Sequence, residues 1–227
     1  RLLGLTLLLL AACGQPPAVR EAAAPVANPP VASDGSVMAN EKIPTVVMLG
    51  DSLTAGYELS ESEALPAVVE RMLADKGVKA KVVNAGVSGD TTADGLNRYD
   101  WSVKGTGADL LVVALGANDF LMKLAPERPK KNLAAILDRA KADGIPAVLI
   151  GVAIPDNNLD PQDQAYAAIY PDLAAQYGVP YLKNFMAPVA GRSDLLMEDG
   201  LHPTARGVEA MAFAVTEFLA PVVAKLD

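Results

Sequence analysis

The sequence predicts an α/β protein, folded as a three-layer α/β/α sandwich around a five-stranded parallel sheet. Two patterns from residue 43 onward carry this prediction. Short apolar runs bounded by glycine, proline or asparagine are typical of buried parallel strands. The segments between them place apolar residues on one helical face, which indicates crossover helices. This alternation puts helices on both faces of the sheet, and ligands then bind beyond the carboxyl ends of the strands.

The predicted elements follow one another in a regular order along the chain. Five strands are expected at residues 46–49, 80–83, 110–115, 147–150 and 179–182. One helix is expected between residues 65 and 73, where apolar residues recur at i, i+3, i+4, i+7 and i+8, and another covers 133–140. The last helix is expected from Pro203 to about residue 226, because proline is favoured at the start of helices.

Composition and charge limit the class of protein. The chain has 227 residues, of which 51% are hydrophobic and 20% charged, enough for one globular domain. With 19 Lys and Arg against 27 Asp and Glu, the net charge is -8, which disfavours contact with nucleic acid phosphates. The sequence contains one cysteine, Cys13, and one histidine, His202, so it supports neither a disulfide framework nor a histidine-rich zinc site.

The N-terminal region differs in composition from the rest of the chain. Residues 2–12 form an apolar run of 11 residues behind Arg1, shorter than the ~20 that span a bilayer. The run predicts the core of a signal peptide, with part of its basic region preceding Arg1; the alternative is a buried helix that ends in a structural cysteine. The Leu-Ala-Ala-Cys sequence ending at Cys13 resembles the lipobox of bacterial lipoproteins, whose cysteine is lipidated.

Three regions of different character are therefore expected. Residues 1–13 are predicted to be a lipoprotein signal peptide, 14–40 a Pro- and Ala-rich flexible tether, and 41–227 the folded domain. A lipid on Cys13 would anchor this domain to a bacterial membrane in the cell envelope. Gly14, where some lipoproteins have aspartate, predicts the outer membrane by the same resemblance.

The candidate functional residues follow the predicted strand ends. Ser52 comes just after the first strand in a Gly-Asp-Ser-Leu sequence, Gly89 after the second strand and Asn118 after the third. Near the C-terminus, Asp199 precedes His202 by three residues. Each residue alone has an ordinary structural explanation, since serine caps helices, glycine and asparagine form turns, and an exposed histidine pairs with an acid. The combination of all four sequence blocks is far more specific.

The order and wording of these blocks resemble the GDSL or SGNH hydrolase family. The four named residues of that family match Ser52, Gly89, Asn118 and His202, and the resemblance covers about residues 45–226. It is closest to the small bacterial branch of arylesterases, acyl thioesterases and lysophospholipases. The resemblance implies the flavodoxin-like form of the predicted sandwich and the chemistry of a serine hydrolase.

The same residues support this chemistry on physical grounds. A serine hydroxyl needs a base within hydrogen-bond reach, and His202 is the one imidazole that the sequence offers. Asp199 is expected to hold that ring in the correct tautomer. The expected oxyanion donors are the main-chain N–H groups of Ser52 and Gly89 and the side-chain amide of Asn118. An acyl-serine would form and then be released by water.

Motifs for other chemistries are missing or incomplete. The sequence has no Gly-x-Ser-x-Gly elbow, no His-Glu-x-x-His pair and no Gly-x-Gly-x-x-Gly loop. Residues 156–167 are similar to a calcium loop, but Pro161 replaces the required glycine and Ala167 the final glutamate. We interpret residues 156–160 as a solvated loop and predict neither a metal nor a cofactor.

Substrate class is less sharply predicted than reaction type. Phe120, Leu121 and Met122 form an apolar segment after Asn118, which predicts an acyl pocket; the alternative is packing against a neighbouring helix. The favoured function is a monomeric esterase for short- to medium-chain acyl esters, extending to thioesters or lysophospholipids. The alternatives are an O-acetylesterase for cell-envelope glycans and an inactive binding module. The few late aromatic residues that could stack on sugars are Tyr166, Tyr170, Tyr177 and Tyr181.

Overall fold

The computed structural model describes residues 42–152 and 160–226. The predicted signal peptide, the predicted tether and Cys13 lie outside the described residues. Residues 156–159 of the stretch interpreted as a solvated loop lie outside them as well. The three-region organisation of the chain therefore stays a prediction.

Five parallel strands form one sheet in the spatial order β2-β1-β3-β4-β5. Their bounds are β1 Thr45–Gly50, β2 Lys81–Gly86, β3 Leu110–Ala114, β4 Ala147–Ile150 and β5 Tyr181–Leu182. This is the strand order of flavodoxin-like folds, and the predicted fold class is confirmed. Gly50 is in register with Gly86 and Ala114, so the first three strands end level with one another. The loops after these strands consequently leave the sheet at one edge.

Helices cover both faces of the sheet. The α-helices in the described ranges are α1 Ser52–Ala55, α2 Leu65–Asp75, α3 Thr92–Asn97, α4 Tyr99–Ser102, α5 Ala117–Leu121, α6 Glu127–Ala142, α7 Pro161–Tyr177 and α8 Ala205–Val223. Strand β1 directs Val46 and Met48 to one face and Val47 and Leu49 to the other, as the two-residue repeat of a strand requires. Side chains of α2 and α8 complete the first core, and those of α6 and α7 complete the second. The result is three layers.

The fifth strand is shorter than the sequence predicts. It begins at Tyr181, two residues later than expected. Gly178 ends α7 in the left-handed region with a φ of 65°, and the N–H of Val179 donates to the carbonyl oxygen of Ala174 at 3.1 Å. Residues 178 and 179 therefore close the preceding helix instead of pairing with β4.

The start of the last helix also differs from the expectation. Helix α8 begins at Ala205, because the side chain of Thr204 caps it by accepting a hydrogen bond from the N–H of Gly207. Pro203 lies before the helix and forms an isolated antiparallel bridge with Leu196. The bridge closes a small hairpin that carries two of the candidate functional residues.

The structure also contains a long helix that the sequence pattern did not reveal. Helix α7 buries a stripe with helical spacing that includes Tyr166, Ile169, Tyr170 and Leu173. Tyrosine, which is often exposed, occupies two of these positions, so the sequence pattern did not indicate an apolar face.

In the parts of the chain that the structure describes, none of the helices has the length and apolar character needed to cross a membrane.

Candidate active site

Ser52 lies at the carboxyl edge of the sheet, at the first position of α1. The preceding residue, Asp51, is buried and caps this helix by accepting a hydrogen bond from the N–H of Leu53 at 3.0 Å. Helix α1 ends after one turn at Gly56, whose φ of 82° lies in the left-handed region. This short helix fixes Ser52 directly above the end of β1, half-buried.

His202 and Asp199 reach Ser52 from the hairpin before α8. The Nε2 atom of His202 lies 2.9 Å from Oγ of Ser52, and its Nδ1 atom lies 2.6 Å from Oδ2 of Asp199. Gly200, with a φ of 68°, allows the tight turn between the two residues. The other carboxylate oxygen of Asp199 accepts hydrogen bonds from the N–H groups of Leu201 and His202. The three side chains thus form one continuous hydrogen-bonded chain.

The electrostatics of Asp199 follow from these contacts. Its hydrogen bond to the His202 ring, followed by those from the main-chain N–H groups of His202 and Leu201, lowers the pKa of Asp199 to about 2. The carboxylate is therefore ionised at neutral pH. An ionised acceptor at Nδ1 favours the tautomer that leaves Nε2 free to accept a proton from Ser52.

Gly89 and Asn118, the other predicted oxyanion donors, lie on adjacent loops of the same edge. Gly89 occupies an exposed turn with a φ of 87°, a conformation that favours glycine. Asn118 lies in the first turn of α5, and its Nδ2 donates to the main-chain oxygen of Asp90 at 2.9 Å. The amide carries two hydrogens, so one remains for a ligand. The hydrogen bond to Asp90 ties Asn118 directly to the turn that contains Gly89.

A pocket of about 340 Å³ opens beside these residues. Ser52, Asn118 and His202 contribute to its lining, and most of the remaining wall is apolar. Of the three residues predicted to form an acyl pocket, Phe120 and Leu121 line this pocket, whereas Met122 does not and is 57% exposed. Its apolar wall also includes Leu53, Met186, Leu196 and Leu201.

Phe120 lines this pocket and also packs against a neighbouring helix. Besides lining the pocket, its ring contacts Tyr166 of α7 edge-on, with 5.3 Å between ring centroids. Packing against the neighbouring helix therefore fixes the orientation of a pocket wall.

Comparison with known proteins assigns the chain to a family. The model of the GDSL-like Lipase/Acylhydrolase family matches residues 48–210. The chain belongs to this family. It is 35% identical over 159 residues to Esterase TesA of Pseudomonas aeruginosa, covering 70% of this chain and 79% of the relative. It is 37% identical over 180 residues to Thioesterase 1/protease 1/lysophospholipase L1 of Escherichia coli (strain K12), covering 79% and 85%.

A solved structure supports the same assignment within the GDSL family. The crystal structure of AlinE4, a SGNH-hydrolase family esterase, matches with a TM-score of 0.67 and 38% sequence identity. The match covers 80% of this chain and 97% of AlinE4. The likeness therefore extends over most of the folded part that the structure describes.

Tyr57 is a neighbour of the GDSL site that sequence reasoning missed. Its ring lies over the His202 imidazole, with 4.3 Å between centroids and an angle of 31° between the ring planes. The adjacent carboxylate of Glu58 raises the pKa of the Tyr57 hydroxyl above its usual value. The signal in the sequence was weak, namely an aromatic residue directly after the glycine that ends α1.

Two buried polar contacts behind the GDSL site were also missed. Asp119 accepts hydrogen bonds from the N–H and the hydroxyl of Thr92, at 2.8 and 2.7 Å. Arg98 pairs with Asp90, with 2.6 Å between Nε and Oδ2. Asp119 and Thr92 come from different strand-end loops, 27 residues apart, so no local spacing could reveal their contact.

The tyrosines considered for sugar stacking do not surround the site. Tyr166 and Tyr170 are buried in the core, and their hydroxyls donate to the main-chain oxygens of Leu124 and Leu115. The hydroxyls of Tyr177 and Tyr181 also donate to main-chain oxygens. The structure thus gives the glycan alternative no support from these residues.

In residues 42–152 and 160–226, no three His, Cys, Asp or Glu side chains are grouped so as to hold a metal ion.

A second cavity, of about 430 Å³, lies at the opposite, amino edge of the sheet, lined by residues that include Pro44, Val78 and Val223. It contains none of the candidate functional residues, so size does not identify the site here.

Proposed function

We propose that this member of the GDSL family is a serine esterase that hydrolyses short- to medium-chain acyl esters through an acyl-serine intermediate. One observation carries the proposal: Ser52, His202 and Asp199 form a hydrogen-bonded chain whose serine end faces an apolar pocket. A nucleophile, a base and an orienting acid in this order are the parts that acyl transfer requires.

The first step is attack on the ester. Oγ of Ser52 forms a bond to the carbonyl carbon while its proton passes to Nε2 of His202, 2.9 Å away. The carbonyl oxygen becomes negative, and the proposed donors to it are the N–H groups of Ser52 and Gly89 and Nδ2 of Asn118. Loss of one such donor typically costs about 10²–10³ in kcat.

The second step releases the alcohol, and a water molecule then completes the reaction. As the tetrahedral intermediate collapses, the bond to the leaving oxygen breaks and that oxygen takes the proton from Nε2 of His202. Water then attacks the acyl-Ser52 carbonyl carbon and gives its proton to the same nitrogen. Return of this proton to Oγ frees the carboxylic acid and restores the enzyme. The ionised Asp199 stabilises the imidazolium formed in each half-reaction.

The proposed substrate class rests on the volume and the apolar lining of the pocket. A volume of about 340 Å³ is at the small end of ligand pockets, and its apolar wall suits an acyl chain of modest length. Thioesters and lysophospholipids are further candidate substrates, because one relative carries both names.

The test is hydrolysis of p-nitrophenyl acetate, butyrate, octanoate and palmitate by the protein and by a Ser52→Ala variant. We expect the wild-type protein to hydrolyse the shorter esters and to be labelled on Ser52 by a fluorophosphonate. Hydrolysis should disappear in the Ser52→Ala variant. Labelling without turnover of these esters, but with release of acetate from an O-acetylated glycan, would favour the O-acetylesterase. Absence of both labelling and turnover would contradict the proposal and favour a binding module.

We further propose that the chain is a lipoprotein of the cell envelope, lipidated on Cys13 and held to a bacterial membrane. The apolar run before Cys13 and the Pro- and Ala-rich segment after it support this proposal. Mass spectrometry of the mature N-terminal peptide should find an acylated Cys13. A Cys13→Ala variant should no longer be found in the membrane fraction after cell fractionation. An unmodified Cys13 in mature protein would contradict the lipid anchor.

We also propose that the enzyme acts as a monomer. Ser52, His202 and Asp199 come from a single chain, so the proposed chemistry needs no partner subunit. Light scattering on the purified protein should give the mass of one chain, 23.6 kDa before processing. A dimer mass at enzymatic concentrations would contradict this.

A further inference from the structure

Arg98 lies between α3 and α4, and its guanidinium is buried, with 7% of the residue exposed. It donates to three groups in three segments of the chain. Nε contacts Oδ2 of Asp90 at 2.6 Å, Nη1 contacts Oγ of Ser102 at 3.0 Å, and Nη2 contacts the main-chain oxygen of Gly50 at 2.8 Å. Ser102 belongs to α4, whereas the other two partners border the candidate active site.

The contact with Gly50 joins Arg98 to the nucleophile. Gly50 is the last residue of β1, two positions before Ser52. Its carbonyl oxygen also accepts a hydrogen bond from the N–H of Val87 at 3.1 Å, in the segment that leads to Gly89. One oxygen therefore links the end of β1, the Gly89 turn and the guanidinium.

The contact with Asp90 joins Arg98 to the remaining proposed donor. Asp90 follows Gly89, and its main-chain oxygen accepts the hydrogen bond from Nδ2 of Asn118 at 2.9 Å. Because one amide hydrogen of Asn118 is committed to Asp90, the direction of the second is fixed by where that oxygen lies. A shift of Asp90 would turn the Asn118 amide.

We propose that Arg98 is a positioning residue that aligns the oxyanion donors of Ser52, Gly89 and Asn118. The proposal rests on the proposed esterase function. Arg98 does not touch the substrate; it acts through Gly50 and Asp90. Its planar guanidinium can serve three acceptors at fixed angles, which the single ammonium of lysine cannot reproduce. The Asp90 carboxylate balances the buried charge, so the network holds its geometry without an unpaired ion.

The central test compares Arg98→Lys with Ser102→Ala in the full chain. Ser102→Ala removes the one Arg98 contact that points away from the site, so it controls for a loss of stability alone. For Arg98→Lys we expect kcat on p-nitrophenyl butyrate to fall about 10- to 100-fold with KM within about twofold. An alkylboronic acid, which forms a tetrahedral adduct on serine, should bind more weakly by a similar factor. Ser102→Ala should lower Tm but keep kcat.

A double-mutant cycle separates positioning from general destabilisation. If Arg98 acts mainly by aligning Asn118, Arg98→Lys should cost at most about threefold in an Asn118→Ala background, far less than in the wild type. Asp90→Asn supplies a second variant in case Arg98→Lys does not fold. It keeps an acceptor for Nε but loses the charge, and we expect a smaller fall in kcat at unchanged KM.

The outcomes distinguish this proposal from the function on which it rests. Equal kcat and boronate affinity in wild type and Arg98→Lys, with only Tm lowered, would overturn the positioning role while the esterase stands. A full additional loss in the Asn118→Ala background would overturn the alignment of Asn118 through Asp90. A wild-type protein that neither hydrolyses the ester nor reacts with a fluorophosphonate would refute the esterase itself.

Discussion

The carboxylate of Asp119 accepts two hydrogen bonds from Thr92, one from its N–H and one from its hydroxyl. Asp119 is 1% exposed and follows Asn118 on α5, while Thr92 begins α3. The pair therefore clamps the loop after β3 to the loop after β2. Both loops carry a proposed oxyanion donor, so this contact holds the two donors at a fixed separation.

Breaking the clamp should reduce both stability and turnover. For Asp119→Ala we expect a loss of about 3 kcal/mol in the free energy of unfolding, because two buried donors on Thr92 lose a charged acceptor. We also expect kcat on p-nitrophenyl butyrate to fall about tenfold or more, since Asn118 loses its support. Thr92→Val keeps the N–H donor and should cost only about 1 kcal/mol. Urea unfolding and steady-state kinetics measure both quantities, and unchanged kcat in Asp119→Ala would contradict the coupling.

Removal of the charge on Asp199 should impair catalysis far more than folding. Asp199→Asn is expected to lower kcat by about 10³–10⁴, because an amide next to Nδ1 of His202 no longer enforces the productive tautomer. The pKa of Asp199 is lowered to about 2 by its contacts, so its titration cannot produce a loss of activity near neutral pH. We therefore expect the wild-type kcat/KM profile from pH 4 to 9 to show no ionisation of Asp199.

The lowered pKa of Asp199 also predicts how the stability of the protein changes with pH. A depressed carboxyl pKa contributes stability above the unfolded value of about 4, and this contribution is lost as pH falls toward 2. The difference in unfolding free energy between wild type and Asp199→Asn should shrink over that window. A constant difference from pH 5 to pH 2 would mean that the carboxylate gains nothing from its partners in the folded protein.

Some parts of the fold and site could be predicted from sequence because their signals are local. The buried strands are continuous apolar runs, and Ser52 and Asn118 follow β1 and β3 within a few residues. Parallel strands that end level then bring such loops to one edge. The two residues between Asp199 and His202 likewise fit within one tight hairpin.

Other parts could not be predicted because their partners are distant in sequence. Asp119 and Thr92 are 27 residues apart, and Arg98 and Gly50 are 48 apart. Nothing in the spacing of these residues indicates that they meet. The later start of β5 has a different cause, since Val179 is β-prone in sequence but closes α7 together with the left-handed Gly178. Tertiary context overrides local preference at these points.

The acyl preference of the enzyme should depend on Phe120. Phe120→Ala removes a ring from the pocket wall, so longer chains should fit better. We expect the ratio of kcat/KM for octanoate to that for acetate to rise about tenfold or more, with a stability loss of roughly 2 kcal/mol from the lost contact with Tyr166. Met122→Ala is the matched control, because Met122 is exposed and outside the pocket lining. If both variants keep the wild-type chain-length profile, Phe120 does not set specificity.

The buried carboxyl behind the nucleophile should make stability fall as pH rises. Asp51 is 1% exposed, and its Oδ2 has no hydrogen-bond partner among the residues that the structure describes. Burial, its largest influence, raises the pKa of Asp51 to about 6. Between about pH 4 and 6 the folded protein thus keeps a proton that the unfolded chain has released. Folding becomes less favourable through this window and levels off above it.

Substitution of this carboxyl isolates its effect from those of the other acids. Asp51→Asn can still cap α1 and does not ionise, so its unfolding free energy relative to wild type should rise by up to about 3 kcal/mol between pH 4 and 7. Asp109→Asn is the control of opposite sign, because Lys42 and the N–H of Thr45 lower the pKa of Asp109. Its stability relative to wild type should fall as pH rises toward the unfolded value of about 4 and stay constant above that value. Urea unfolding at pH 2, 3, 4, 5, 6 and 7 measures both trends, and parallel curves for wild type and Asp51→Asn would show that the buried carboxyl ionises as it does in the unfolded chain.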